Sequence, residues 1–347
     1  MTEPGEGSTL PPASGDGIPI ATRLMYRAGA VGIEAARKLI RRAPRERALA
    51  AGASIGRGYA RLHGPRTSTA RLNLALAYPE LSEAERRRLY REVYASFGRM
   101  VVETALLGRL SREDLLALTD VEGFENLEAA RKSWSGGGAI ILTAHFGSFE
   151  LFGAVMGARG VPLSIVHRVA NNPFLNDLIR DWRTTYGVEV IARGSAARAS
   201  LRGLRKGRCI AMPLDQNTRP ESGIFTPFFG RAACTRDGPA RLAMRTGAPV
   251  VPAFMFRIGD TARHRVRILP ALDLLPAGND REATDEAIAE NVHRMTEVIE
   301  AVVREAPEQW IWSHRRWKSQ PPGEPRIYPS KADRPLRRLK RALGMRR

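Results

Sequence analysis

Cysteine is scarce in this chain, and acidic residues are outnumbered by basic ones. Only Cys209 and Cys234 occur among 347 residues, too few for a disulfide framework, which favours a reducing compartment. Neither cysteine has the spacing of a metal ligand, and we expect no metal and no cofactor. Aspartate and glutamate number 36 against 55 lysines and arginines, so the net charge is +19. So basic a surface favours polyanionic partners: nucleic acid, an anionic membrane or an acidic carrier protein.

Long apolar runs are also missing. Residues 1–18 are rich in glycine, proline, serine and glutamate without a signal-peptide pattern, and we predict that they are disordered. Apolar residues recur at helical spacing between Ile20 and Leu39, but arginines interrupt every run, so we predict no span that crosses a bilayer. Two interpretations stay open for this helix. It lies on a membrane surface, or it packs on the domain with a solvated basic face.

A change of pattern at Ala139 predicts the fold class. Residues 19–120 are mostly helical, with residues 81–116 helical throughout and a core stripe that includes Val93, Phe97 and Val101. From residue 139, apolar runs at 139–144, 162–166, 188–192, 208–214 and 249–256 alternate with helical stretches at 149–158, 173–186, 196–206 and 237–246. This alternation predicts an α/β fold with a mainly parallel central sheet flanked by helices. We expect a single domain over residues 19–320, with an α/β core at 136–318 and a basic tail at 321–347.

His145 and Glu150 form the first candidate site. The buried strand predicted at 139–144 ends just before His145, and Glu150 falls in the first turn of the next helix. Within one continuous helix, five residues would turn the two side chains about 140° apart, so His145 should precede the helix and Glu150 should reach back to it. Such a pair can act as a general base and its orienting carboxylate. The spacing alone favours the alternative, a structural histidine beside a helix N-terminus.

Further polar residues follow the ends of other predicted strands. Arg168 and Asn172 come after the second strand, and Asp215, Gln216 and Arg219 come after the fourth. Because the carboxyl ends of parallel strands share one edge of a sheet, these clusters should converge on one cleft with His145. Turn chemistry also places asparagine, aspartate and glycine in loops, and a cap or turn is the alternative for Asp215.

Several segments together resemble one enzyme family. They are the His145-x4-Glu150 block, His167-Arg168 followed by Asn172-Pro173, Leu214-Asp-Gln216, Phe225–Gly230, Asp237–Ala243 and Pro307–Lys318. In order and spacing these blocks, spread over residues 80–320, resemble the lysophospholipid acyltransferase family that includes the late acyltransferases of lipid A biosynthesis. The resemblance implies a glycerolipid acyltransferase-like fold.

The resemblance also implies a reaction, the transfer of a fatty acyl group from an acyl-carrier-protein or coenzyme A thioester to a hydroxyl of a membrane lipid. His145 would be the general base, with Glu150 bonded to its other ring nitrogen. Arg168 would bind a donor or acceptor phosphate or polarise the thioester carbonyl. The block with Asp215, Gln216 and Arg219 would organise the acceptor headgroup, and Asn172 would assist in substrate binding.

Alternatives remain for the acceptor, the class of protein and the aromatic segments. A lipid A-type precursor is favoured, with a lysophospholipid, an aminolipid or another glycolipid as the alternatives. A nucleic-acid-binding protein or a non-catalytic membrane scaffold would also be basic, but no nucleic acid is expected. We expect peripheral attachment to the cytoplasmic face of the bacterial inner membrane. Ile224–Gly230 lines an acyl-chain groove or packs as a buried loop, and Trp310, Trp312 and Trp317 have a structural or membrane-edge role.

Overall fold

The structure, a computed structural model, describes residues 19–167, 172, 174, 183–192 and 196–329. The predicted disorder of residues 1–18, most of the predicted helix at 173–186 and the end of the basic tail lie outside these residues. Within them, none of the helices is long and apolar enough to cross a membrane. The ten helices described are α1 (Ile20–Arg42), α2 (Arg45–Tyr59), α3 (Pro65–Ala77), α4 (Glu83–Leu106), α5 (Arg112–Ala117), α6 (Phe124–Ser133), α7 (Phe149–Ala158), α8 (Ala196–Arg205), α9 (Gly238–Thr246) and α10 (Arg281–Glu305).

The central sheet has seven strands and is mostly parallel. Its strands are β1 (Thr119–Glu122), β2 (Ala139–Thr143), β3 (Leu163–His167), β4 (Glu189–Ala192), β5 (Cys209–Pro213), β8 (Val250–Arg257) and β9 (His264–Ile268). They lie in the order β1-β9-β8-β2-β5-β3-β4, and only the β8–β9 pair is antiparallel. A separate hairpin pairs β6 (Gly223–Phe228) with β7 (Arg231–Arg236). The α/β class and all five predicted strands are confirmed.

The central strands are buried by helices and by an aromatic cluster. Every residue of β2 and β8 is buried, as expected for parallel strands covered on both faces. Trp310, Trp312 and Trp317 are 0 to 2% exposed and pack with Phe228 of β6. The structural role of the tryptophans is confirmed. The 224–230 segment is only partly buried, with Phe228 and Phe229 buried but Pro227 and Gly230 exposed, so its two alternatives stay predictions.

The helical region departs from the prediction at two points. Residues 81–116 are not one helix, because α4 ends at Leu106 and α5 begins at Arg112, with Gly108 between them at a φ of +80° that a helix cannot contain. The predicted core stripe is also partly wrong. Val93 is buried, but Phe97 is 38% and Val101 46% exposed. The buried face of α4 is shifted because α2 crosses it closely, so that a Cβ atom on Gly98 would lie 2.0 Å from the backbone oxygen of Gly52.

Candidate active site

His145 stands at the end of β2 because the chain turns sharply there. Gly147 has a φ of +56°, and a Cβ atom at this position would lie 1.8 Å from the backbone oxygen of Met255. Only glycine fits such a turn without a shift of the backbone. The N–H of Gly147 donates to the backbone oxygen of Gln309 at 2.8 Å, and α7 begins two residues later. The strand, the turn and the Gln309 contact together fix the backbone that carries the imidazole.

Asp215 meets His145 because β2 and β5 are adjacent and in register. Thr143 pairs with Pro213 in the parallel ladder, so the residues two positions beyond each strand end also face each other. Nδ1 of His145 lies 2.9 Å from Oδ1 of Asp215. The indole Nε1–H of Trp310 donates to Oδ2 of the same carboxylate, also at 2.9 Å. Asp215 is 2% exposed, so its carboxylate is oriented by these donors and hardly by water.

The electrostatics of this pair favour an ionised aspartate. Burial raises the pKa of Asp215, but His145, the indole of Trp310 and the backbone N–H of His145 outweigh it and lower the pKa to about 2. Burial lowers the pKa of His145, but the charge and hydrogen bond of Asp215 and the charge of Glu150 outweigh it, so this pKa is raised. With the carboxylate as acceptor, Nδ1 of the imidazole carries the proton and Nε2 has a free lone pair.

The remaining faces of the imidazole are partly open. The His145 side chain is 25% exposed, and the ring of Phe149 packs against it edge to face at 5.2 Å between centroids. The amide nitrogen of Gln216 lies 3.3 Å from both ring nitrogens. In the ring plane, an atom equally far from both would collide with the carbon between them, so this amide lies over the ring face. Nε2 is therefore left as the basic atom available to a substrate.

Glu150 has a different bonding partner from the one that the sequence predicted. Its carboxylate receives two hydrogen bonds from Arg183, at 2.9 Å from Nε and 2.6 Å from a terminal nitrogen. Nδ1 of His145 is bonded to Asp215, so the predicted bond from Glu150 to the ring is wrong as to the partner. Glu150 lies in the first turn of α7, as predicted, and acts on the imidazole through its charge. The fork of Arg183 fits a carboxylate better than a single ring nitrogen does.

A family model matches most of this chain. The model describes the bacterial lipid A biosynthesis acyltransferases and matches residues 24–319. The chain belongs to this family. Among its relatives, the lipid A biosynthesis palmitoleoyltransferase of Escherichia coli is 31% identical over 268 residues, 76% of this chain and 82% of that protein. The lauroyltransferase and the myristoyltransferase of the same organism are 29% and 28% identical, over 80% and 82% of this chain and 87% and 85% of their own lengths. The chain is therefore an O-acyltransferase.

The structure places the other predicted site residues of this acyltransferase in different surroundings. Arg168 is outside the described residues. Asn172 donates to the backbone oxygen of Tyr26 at 3.1 Å and accepts the N–H of Phe174, which ties it to α1 and to its own turn. Arg219 is exposed at the start of the short 3-10 turn Pro220–Ser222. Gln216 contacts His145 as described above. Substrate contacts for all of these residues stay predictions.

The acyltransferase also holds a buried polar network that sequence reasoning missed. The carboxylate of Glu103 on α4 accepts hydrogen bonds from the hydroxyl of Ser148 at 2.6 Å and from Nε2 of His264 at 3.0 Å. It also accepts two hydrogen bonds from the guanidinium of Arg257. Both Glu103 and Arg257 are almost fully buried. Since Ser148 lies between His145 and α7, this ion pair anchors the loop of the candidate base to α4. The signal in the sequence was a glutamate among the apolar residues of α4. That signal did not indicate which residue pairs with it.

Proposed function

We propose that this acyltransferase moves a fatty acyl group from an acyl-carrier-protein or coenzyme A thioester to a hydroxyl of a lipid A-type precursor, with His145 as the general base. The observation that carries the proposal is the bond from Nδ1 of His145 to Asp215, which leaves Nε2 basic and accessible. The names of the relatives support the acceptor class. The mixed sheet with an active site at strand ends supports a glycerolipid acyltransferase-like fold.

The proposed chemistry needs no covalent enzyme intermediate. Nε2 of His145 takes the proton of the acceptor hydroxyl, and the oxygen attacks the thioester carbonyl carbon. As the tetrahedral intermediate collapses, the carbon–sulfur bond breaks and the thiolate takes the proton from His145. The buried carboxylate of Asp215 stabilises the imidazolium that forms between these steps. The exposed amide of Gln216 is in a position to donate a hydrogen bond to a substrate oxygen beside the ring.

The experiment that tests the proposal follows acyl transfer by mass spectrometry. Wild type and His145→Ala receive acyl-carrier-protein and coenzyme A thioesters with a lipid A-type precursor, a lysophospholipid or a membrane lipid extract. We expect transfer by the wild type and a loss of at least about 10²-fold in the variant, because general base catalysis contributes about 10²- to 10⁴-fold. His293→Ala is the matched control, since this histidine of α10 pairs with Glu297 and should retain activity. Equal products from wild type and His145→Ala would contradict the mechanism.

We propose that α1 attaches the enzyme peripherally to an anionic membrane, at the cytoplasmic face of the inner membrane. Arg37 of α1 is buried and donates to the backbone oxygens of Ala105 and Leu107, at the C-terminus of α4, where a cation is favourable. The apolar side chains of the helix point outward instead, with Leu24 61% and Leu39 69% exposed. Arg27, Lys38 and Arg42 are exposed as well, so the outer surface of the helix carries apolar and basic side chains together, which supports the membrane-surface interpretation.

Vesicle binding tests this attachment. The double variant Leu24→Glu, Leu39→Glu should bind vesicles of phosphatidylglycerol and phosphatidylethanolamine much more weakly in a flotation assay, because each substitution removes buried apolar area and adds a negative charge. The double variant Ala84→Glu, Ala129→Glu adds the same two charges at exposed positions of α4 and α6 and controls for the added charge. Undiminished flotation of the Leu24→Glu, Leu39→Glu variant would refute the role of α1.

A further inference from the structure

A cavity lies between the start of α3 and the segment Ser313–Lys318. It has a volume of about 350 Å³ and is lined by polar and basic side chains, among them Arg66, Thr69, Ser313, His314, Arg315 and Lys318. No carboxylate lines it. Three of these residues, Arg66, Arg315 and Lys318, are cations. Cations that lie in one cavity repel one another, and an anion bound between them offsets that repulsion.

The three cations are not used by the fold for ion pairing. Across the part of the chain that the structure describes, many arginines pair with a carboxylate, but Arg66, Arg315 and Lys318 have none within 4.0 Å. The guanidinium of Arg315 instead lies over the ring of Tyr328, 5.5 Å from its centroid. Such stacking orients the guanidinium while leaving its N–H groups to bind an anion.

The backbone that carries these cations is held rigidly from behind. The buried amide of Asn73 on α3 donates to the backbone oxygens of Trp312 at 2.8 Å and of His314 at 2.6 Å. The hydroxyl of Tyr328 donates to the side-chain oxygen of Asn73 at 2.6 Å and accepts the N–H of Trp317 at 3.2 Å. A site whose backbone is fixed before the ligand arrives loses little entropy on binding.

The cavity adjoins the loop that carries Asp215. Nε2 of His314 accepts the backbone N–H of Asn217 at 3.0 Å, and Asn217 follows Asp215 by two residues. Burial lowers the pKa of His314 to about 4, with contributions from Arg316, His145 and Lys318. The ring is therefore neutral at physiological pH, and since Nε2 accepts a bond, Nδ1 carries its proton. The cavity is thus joined to the candidate base by one short, hydrogen-bonded segment.

We propose that this cavity binds a phosphate group of a substrate, through Arg66, Arg315 and Lys318. Its size and its three cations suit a phosphate monoester or a pyrophosphate better than a carboxylate. Two substrates of the proposed reaction carry phosphate: a phosphorylated glycolipid acceptor, and a thioester donor through the pyrophosphate of coenzyme A or the phosphodiester of a carrier-protein phosphopantetheine. The choice of substrate rests on the proposed function, whereas the binding of phosphate does not.

Direct binding tests the site without catalysis. Titration calorimetry with pyrophosphate at low salt compares the wild type with the double variant Arg315→Gln, Lys318→Gln. We expect the affinity to fall by roughly 10- to 100-fold, equivalent to about 1.4–2.8 kcal/mol, because two of the three charged donors to the phosphate oxygens are lost. The control is Arg88→Gln, Arg281→Gln, which removes two exposed charges elsewhere. In NMR titrations, pyrophosphate should also raise the pKa of His314 in the wild type and not in the double variant.

Steady-state kinetics then identify the substrate. If the cavity holds the acceptor, the double variant raises KM for a phosphorylated glycolipid at least 10-fold and leaves KM for its dephosphorylated form unchanged. If it holds the donor, KM rises for the thioester with either acceptor. The proposal would be overturned if the wild type bound no pyrophosphate, or if the wild type and the double variant Arg315→Gln, Lys318→Gln bound it equally well. Unaltered KM values of the double variant for both substrates would also overturn it. An enzyme that binds pyrophosphate but transfers no acyl group would refute the proposed function and not the site.

Discussion

Replacing Asp215 with asparagine tests which of two carboxylates, Asp215 or Glu150, orients the imidazole of His145. The wild-type carboxylate accepts hydrogen bonds from Nδ1 of His145, from the indole of Trp310 and from the backbone of His145. An asparagine has only one acceptor oxygen. If this oxygen faces Trp310, the NH₂ group faces Nδ1 and stabilises the tautomer that is protonated at Nε2. Nε2 then no longer has a lone pair with which to accept the proton of a hydroxyl.

The structure sets the expected magnitudes. In the serine protease triad, the equivalent change of tautomer costs about 10⁴-fold in kcat, and we expect a loss of about 10³- to 10⁴-fold here. The lowering of the Asp215 pKa from 3.8 to about 2 corresponds to about 2 kcal/mol of stability at neutral pH, which the variant loses. Since the folded pKa lies below the unfolded one, the wild type loses this contribution as the pH falls from about 4 towards 2.

Three measurements check this prediction against Glu150→Gln. Nitrogen NMR of labelled histidine should show Nδ1–H as the main tautomer of His145 in the wild type and in Glu150→Gln, and Nε2–H in Asp215→Asn. The acid limb of kcat/KM should move to lower pH in both variants, because each removes a negative charge that raises the pKa of His145. Only Asp215→Asn should lose most of its activity at the optimum pH through the tautomer. A wild-type tautomer in Asp215→Asn, or its inversion in Glu150→Gln, would refute the reasoning.

Three further substitutions test the supports of the site. Glu103→Gln leaves the buried Arg257 without its charge partner and should cost about 3–5 kcal/mol in urea unfolding. Gly147→Ala should reduce kcat strongly and also lower Tm, because the turn needs a φ of +56° and the new Cβ meets the backbone oxygen of Met255. Trp310→Phe removes a bond to a buried carboxylate, worth about 1.5–3 kcal/mol in urea unfolding, and should lower kcat by loosening the orientation of Asp215.

Each substitution has a matched control. Glu92→Gln breaks a half-exposed pair with Arg57 and should cost under about 1 kcal/mol. Gly187→Ala has a similar φ of +78° with no atom near the new Cβ, so it isolates the strain from the clash. Trp317→Phe is equally buried but loses only a bond to a backbone oxygen. If a variant and its control had equal effects, the role assigned to that variant would be contradicted: the buried ion pair for Glu103, the close approach to Met255 for Gly147, and the hydrogen bond to Asp215 for Trp310.

Periodicity predicted five strands of the central sheet well, but it missed β1, β9 and the hairpin strands β6 and β7, and it was less accurate for the first helical region. The runs from Ala139 onward are short and bounded by glycine and polar residues, so their ends could be placed within one residue. Helical periodicity continues through Gly108, and nothing in the spacing distinguished a turn there from a helix interior. The face of α4 was misjudged because Phe97 and Val101 are apolar yet exposed. Apolar spacing indicates only which side avoids water, and a membrane satisfies it as a core does.

By itself, the sequence determined the local positions of the predicted site residues: the catalytic candidates His145 at the end of a strand and Glu150 in the first helical turn, and the substrate-binding candidate Asp215 at the end of another strand. Only the tertiary structure decided which of them meet. Strand order is set by the packing of the whole sheet, and it places β5 beside β2 in the register that opposes Asp215 to His145. Arg183, distant in the chain, binds Glu150 and removes it from the ring. Contacts of such high sequence separation depend on the collapse of the whole domain, which no local pattern encodes.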